Sequence, residues 1–326
     1  MMHWWSSTVM VRHNSVNYTT LPVTSQAGRA MNLGATAGIV MMSAVLWSVV
    51  ASSVIAGKNP LKVFVSIPPQ EYFVERIAGE RACVQVLVGQ GQSPHVFEPT
   101  PQHLARVCSA DLYFTIGLPF EKRLVKKISG ITSHLTVVNT AQGIRLREDA
   151  GHDEHHHDSG QGDPHIWLAP ALIKQQAATM CAALCHHDPE SAAYYRDNLS
   201  RFHAELDALD SEIKIKLAPF AGKEIFVFHP AFGYITDTGG LRQTAIEVQG
   251  KEPGAQSLTA LIDRARKQRV KVLFAERQFS AKTSEAVARQ LGAEVIILDP
   301  LAKDCFENLR FITDRFVYAF RKSSEE

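Results

Sequence analysis

The chain has 326 residues, 45% of them apolar, with a formal net charge of +1. That composition excludes a disordered chain, and the length suits about two domains of ~100–200 residues each. Lys and Arg nearly balance Asp and Glu and form no basic stripe, so nucleic acid is excluded as a partner.

The first 57 residues form an N-terminal extension with an export signal. Leu33 to Ala56 is apolar or small throughout, follows Arg29, and ends in Val54-Ile55-Ala56-Gly57, whose small residue before the break suits a signal peptidase. At about two dozen residues the same run is long enough for a membrane anchor, the alternative reading. Both place the rest of the chain outside the cytoplasm. Met1 to Ala30 is a long polar preface, and Met31 is a second candidate start.

Residues 58–170 read as an N-terminal α/β lobe. Strands are expected at Val63–Ile67, Val84–Val88, Leu112–Ile116 and Leu135–Val138, with helices around Glu71–Ala78, Pro101–Ala110 and Phe120–Ile128. Such alternation predicts βαβ units and a mostly parallel sheet. Residues 150–162 carry His152, His155, His156 and His157 among Asp, Glu, Gly and Ser, a loop composition with weak metal-capturing capacity.

Residues 171–221 read as helical. From Pro189 to Leu217 apolar residues fall at Tyr195, Leu199, Phe202, Leu206, Leu209, Ile213 and Leu217. This spacing predicts one long amphipathic helix of roughly 40 Å, able to run beside two lobes. A stiff connection of that kind does not suit large hinge closure. Residues 222–326 repeat the α/β pattern, with strands at Ile225–Phe228, Thr244–Val248, Val270–Phe274 and Val295–Leu298 and helices near Leu258–Gln268 and Lys282–Leu291. Cys83, Cys108, Cys181, Cys185 and Cys305 match no zinc-ribbon spacing, and Cys181 and Cys185 read as packed residues of one helix face.

Three histidines and one aspartate sit beside prolines: His95 in Ser93-Pro94-His95, His165 in Asp163-Pro164-His165, His229 in His229-Pro230, and Asp299 in Asp299-Pro300. Their intervals are 70, 64 and 70 residues, so only the fold can make them neighbours. His229 and Asp299 follow strands directly, where open α/β sheets bind ligands. Three imidazoles and a carboxylate would fill a tetrahedral zinc shell. Glu276, also at a strand end, is the competing fourth ligand, with an ion pair to Arg277 as its alternative role.

With these motifs go Glu98-Pro99, Ile166-Trp167-Leu168, Phe228-His229-Pro230-Ala231-Phe232-Gly233-Tyr234, Gly250-Lys251-Glu252-Pro253, Glu276-Arg277-Gln278-Phe279-Ser280 and Leu298-Asp299-Pro300-Leu301. In their order and spacing the chain resembles the metal-binding solute-binding proteins of ABC importers for zinc or manganese, over about Lys62 to Phe320. The resemblance implies two lobes joined by one long helix, with His95, His165 and His229 on the family's three ligand positions and Asp299 on its usual carboxylate. It further implies a monomeric, non-enzymatic periplasmic protein whose partners are an ABC permease and its ATPase subunit. A His-rich loop is common in zinc members. Residues 52–60 contain no lipid-anchor cysteine, which favours a soluble periplasmic form.

Three imidazoles favour zinc, whereas manganese members place a carboxylate where His229 stands. Capture is expected to weaken below pH ~6.5 as ordinary histidines protonate. Two other classes compete. A zinc hydrolase would use the three histidines with Asp299 or Glu276 as base, but no His-Glu-x-x-His run is present; a surface adhesin or metal buffer would need no permease.

Overall fold

The computed structural model describes residues 59–148, 162–247, 255–279 and 281–324. The expected export signal, the His-rich loop with His152, His155, His156 and His157, and the Gly250-Lys251-Glu252-Pro253 motif lie outside the described residues.

The first lobe runs β1 (Leu61–Val65), α1 (Pro68–Ala78), β2 (Ala82–Val86), α2 (Pro101–Cys108), β3 (Leu112–Thr115), α3 (Pro119–Ser129) and β4 (Thr136–Asn139). Its four strands form a parallel sheet in the order β2-β1-β3-β4. Val63, Phe64, Val65 and all of β3 are buried, as strands covered by helices on both faces must be. Proline opens α1, α2 and α3, where a missing N–H costs nothing. Thr100 caps α2, accepting from the His103 N–H at 3.2 Å.

Two long helices follow, α4 (Pro170–His187) and α5 (Ala192–Leu217). The second lobe runs β5 (Glu224–Val227), α6 (Gly233–Thr238), β6 (Arg242–Ala245), α7 (Ala255–Lys267), β7 (Val272–Glu276), α8 (Ala281–Leu291), β8 (Glu294–Leu298) and α9 (Cys305–Lys322). Its sheet repeats the first in parallel order, β6-β5-β7-β8. The expected α/β class, two four-stranded parallel sheets and a long helix, is what the chain adopts. Several strands start or end two residues from their expected limits; β5 ends one residue short, and Phe228 beyond it continues the apolar run and still donates to the Phe274 carbonyl at 2.7 Å. The helices α6 and α9 carried no expectation. Yet α9 has a sequence signal, since Phe306, Leu309, Ile312, Phe316 and Phe320 recur every three or four residues and Asp304 caps the first turn.

Helix α5 has 26 residues, about 39 Å at 1.5 Å each. It packs on α1 and α4 at one end and on α9 at the other. Phe202, at its middle, lies 6.3 and 6.1 Å from the rings of Tyr72 and Phe73 on α1 and 5.9 Å from Phe306 on α9. The Arg76 guanidinium lies 4.9 Å from the same ring. At the far end a Cβ on Gly239 would come within 2.4 Å of the Leu217 side chain, so only glycine lets α6 end against α5. One apolar core therefore runs through the first lobe, α5 and α9. All five cysteines are free thiols, the Cys181 and Cys185 sulfurs 3.9 Å apart along α4.

Because Phe202 ties α1 to α9, Phe202→Ala should lower the free energy of unfolding by about 3–5 kcal/mol. Denaturant titration should show a lower midpoint with an unchanged slope; a loss under 1 kcal/mol would mean that the lobes do not share this core.

Candidate metal centre

His95, His165 and His229 come together at the carboxyl ends of the strands. His95 is carried by the loop after β2, held by Pro94. His165 follows Asp163-Pro164 and opens a short 3-10 turn, Ile166–Leu168, in which its own N–H donates to Asp163 Oδ1 at 2.9 Å. His229 is two residues beyond β5, and its carbonyl accepts from the Ala231 N–H at 2.8 Å. Nε2 of His165 lies 3.3 Å from Nε2 of His95 and 3.4 Å from Nε2 of His229. Among the described residues this is the one group of three or more metal-ligating side chains, its donor atoms all within 4.8 Å of one another.

The opposite edge of two rings fixes what these nitrogens are. His165 Nδ1 lies 2.7 Å from Asp163 Oδ1, and His229 Nδ1 lies 3.1 Å from Glu247 Oε2. A carboxylate oxygen accepts, so both Nδ1 atoms carry a proton, and in the neutral ring each Nε2 atom then presents its lone pair. Two lone pairs 3.4 Å apart make no hydrogen bond; a cation between them satisfies both. Four ligands at 2.0–2.1 Å from a tetrahedral zinc ion stand about 3.3–3.4 Å from one another, which is the spacing here.

Burial disfavours the charged form of His95 and His229. His165 and His229 are 4% and 8% exposed, and His95 is half-buried. Loss of water, then the neighbouring His165 and His229, push the His95 pKa from 6.5 down to about 2. Burial also lowers that of His229, with Glu247 and Asp163 opposing and His165 adding to the shift. The rings are braced by aromatic neighbours, Trp167 at 5.1 Å from His165 and Phe279 at 4.8 Å from His229. The cavity they share is about 10 Å³, far below the ~300–1,000 Å³ of pockets for organic ligands. It accommodates an ion.

The two carboxylates named as fourth ligands are outside the triad. Asp299 is turned to other work: its Oδ1 accepts from the Leu301 N–H at 3.0 Å and from Gln278 Nε2 at 2.8 Å. Glu276 is 2% exposed and accepts from the backbone N–H of His229 at 3.2 Å, behind the ring rather than before it. Burial raises its pKa well above the usual carboxylate range, which suits a neutral acid.

Two residues with no assigned role emerge instead, Asp163 and Glu247, each holding an imidazole by its far nitrogen. Asp163 sits two residues before His165, a visible signal. Glu247 ends the β6 region, where its N–H donates to the Phe228 carbonyl at 2.8 Å, so its position depends on the pairing of β6 with β5. Asp163 is fixed in turn by Arg147, whose Nε lies 3.8 Å from Asp163 Oδ2. The same guanidinium reaches the second lobe, donating to the Gly233 carbonyl at 3.1 Å and pairing with Asp237. The Tyr234 hydroxyl donates to the Asp163 carbonyl at 2.7 Å.

Relatives share this architecture. The chain is 29% identical to the high-affinity zinc uptake system protein ZnuA of Bacillus subtilis (strain 168), over 74% of this chain and 79% of that one. Identity to the protein of the same name from Yersinia pestis is 30%, covering 73% and 82%. A crystal structure of a ZnuA deletion mutant with zinc bound superposes with a TM-score of 0.75 at 40% identity, over 80% of this chain and 98% of that one. Residues 63–317 match the profile of one family, and the chain belongs to it: zinc-uptake complex component A, periplasmic.

Proposed function

We propose that this protein captures a zinc ion outside the cytoplasmic membrane and delivers it to an ABC importer, with His95, His165 and His229 as the ligands. The observation that carries the reading is the convergence of three imidazole nitrogens, with Nε2–Nε2 separations of 3.3 and 3.4 Å that match the ligand spacing around a tetrahedral zinc ion. The similar proteins include two zinc uptake system proteins, and a zinc-bound structure is among the similar folds. Zinc is favoured over manganese because three imidazoles form a nitrogen set, whereas manganese prefers carboxylate and carbonyl oxygens. Transport rather than hydrolysis is supported by the second shell: Glu276 is buried behind His229, and Asp299 is bonded to Gln278 and Leu301. No helix among the described residues is long and apolar enough to cross a membrane.

Calorimetric titration of the metal-stripped mature protein should give one zinc per chain. His229→Ala should weaken binding by about a hundredfold or more, and Glu247→Gln, which breaks the support of the same ring, by ~10–100-fold. Absence of stoichiometric zinc binding in the unmodified protein would overturn the reading.

The pH dependence departs from that of ordinary histidines. Because His95 and His229 have folded pKa values below 6.5, they stay neutral as pH falls through 6.5 and need lose no proton to bind. Three ordinary imidazoles would together release about two protons per zinc at pH 6. Titrations at pH 6 in buffers of different ionisation enthalpy should report well under two; two or more would contradict the buried geometry. The same shifts set a stability cost in the metal-free protein. Below pH ~6.5 the unfolded chain takes up protons that the folded chain refuses, so stability should fall on acidification toward pH 2 and fall less in His95→Gln, measured by thermal unfolding.

A further inference from the structure

Charge that balances over the whole chain is locally uneven on α3. Lys122, Arg123, Lys126 and Lys127 are all exposed, and at 3.6 residues per turn they cover an arc of about 140°, opposite Leu124 and Ile128 in the core. The acid of that helix, Glu121, is buried and accepts from the backbone N–H groups of Ile116, Gly117 and Leu118. Among the described residues none of the four cations has an acidic partner, whereas on α5 Lys214 and Lys216 pair with Asp210 and Glu212 one turn away. Helix stability does not explain the cluster. Lys122 with Lys126 and Arg123 with Lys127 are like-charge pairs four residues apart, and Lys122 ends the first turn, where the helix dipole repels a cation. Between α2 and α3 lies a groove of about 310 Å³, with Leu104, Phe120 and Leu124 in its walls beside Arg123 and Lys127. Glu98 is the one acid that lines it.

We infer that the exposed face of α3, with the groove beside it, docks on a surface of anionic phospholipid. Headgroup phosphates are the acids that the four cations lack, and a bilayer presents many of them to one convex arc. A single small anion fits less well, because Lys122 and Lys126 do not line the groove and point away from it, while a surface meets all four. Apolar side chains accompany the charge. Val96, two residues before Glu98, is 79% exposed, and Ile131, four residues beyond Lys127, is 60% exposed. Both suit the boundary between headgroups and acyl chains, as do the apolar walls of the groove. Each cation near an anionic surface strengthens attachment about fivefold, so four give roughly several hundredfold. That is a reversible attachment, which keeps the protein beside a membrane without fixing it there. The inference goes beyond zinc capture and does not depend on which ion the triad holds.

Co-sedimentation of the mature protein with vesicles tests this. Vesicles of equal parts phosphatidylglycerol and phosphatidylcholine should bind it, vesicles of phosphatidylcholine alone should not, and about 1 M salt, where the Debye length is ~3 Å, should release it. Lys122→Gln with Lys126→Gln should weaken binding by about 25-fold, and substitution of all four cations by Gln should abolish it. Lys214→Gln with Lys216→Gln removes the same charge from α5 and should leave vesicle binding within about twofold, since those cations already have acids. Zinc titration and thermal unfolding of the α3 variants should match the unmodified protein, which separates loss of docking from loss of fold. Three results would overturn the inference: no preference for the anionic vesicles, an equal loss in the α5 variant, or displacement by inorganic phosphate at constant ionic strength, which would make the groove a site for a free anion. The vesicle assay needs no metal, so failure of zinc capture is a distinct outcome.

Discussion

Two imidazole lone pairs facing each other at 3.4 Å, with no proton to share, are the interaction on which the rest of this structure depends. Left to themselves such rings would turn or protonate. Asp163 and Glu247 prevent the first by holding each ring through its far N–H, and at His229 burial opposes the second by disfavouring the charged form. The site is thus held in the state a cation needs before any cation arrives, and little reorganisation is required on binding.

The fold supplies that restraint from a distance. Parallel sheets direct the carboxyl ends of their strands toward the same side, and in each lobe two neighbouring central strands, β1 and β3 or β5 and β7, leave by opposite routes and open a crevice. In the first lobe the crevice is closed by the chain itself. The Glu121 carboxylate accepts from the backbone N–H groups of Ile116, Gly117 and Leu118 and from Ser66, while the Tyr113 hydroxyl lies 2.9 Å from Ser66 Oγ. In the second lobe the equivalent place is open to His229. The first lobe consequently contributes its ligands from the loops bearing His95 and His165, and Arg147 ties the second of these loops to α6 across the divide. The helix α5, clamped between α1 and α9 around Phe202, resists relative motion of those loops.

Much of this was legible in the residues. Prolines beside His95, His165 and His229, and a strand before His229, were enough to collect the triad, because a strand end in a parallel sheet is a position in space as well as in sequence. Asp299 was placed at a strand end by the same logic, yet its carboxylate is bonded to Gln278 and Leu301. Sequence reveals that a carboxylate is near; it does not reveal which donor takes it first. Glu247 was missed for a related reason. Its importance comes from the pairing of β6 with β5, which brings residue 247 beside residue 229, and no local pattern encodes the order of strands in a sheet. Strand limits differ from those expected where apolar side chains continue past the end of a strand, by one residue at Phe228.

The electrostatic balance follows from the same arrangement. Burial raises the Glu276 pKa, and Asp163 and Glu247 are the carboxylates bonded to the imidazoles. A divalent ion at the Nε2 atoms therefore meets two compensating negative charges, each one ring away. Compensation through the rings leaves the bonds to the ion to neutral imidazole nitrogens. Capture and release can then be balanced by positioning the carboxylates, without changing the ligands.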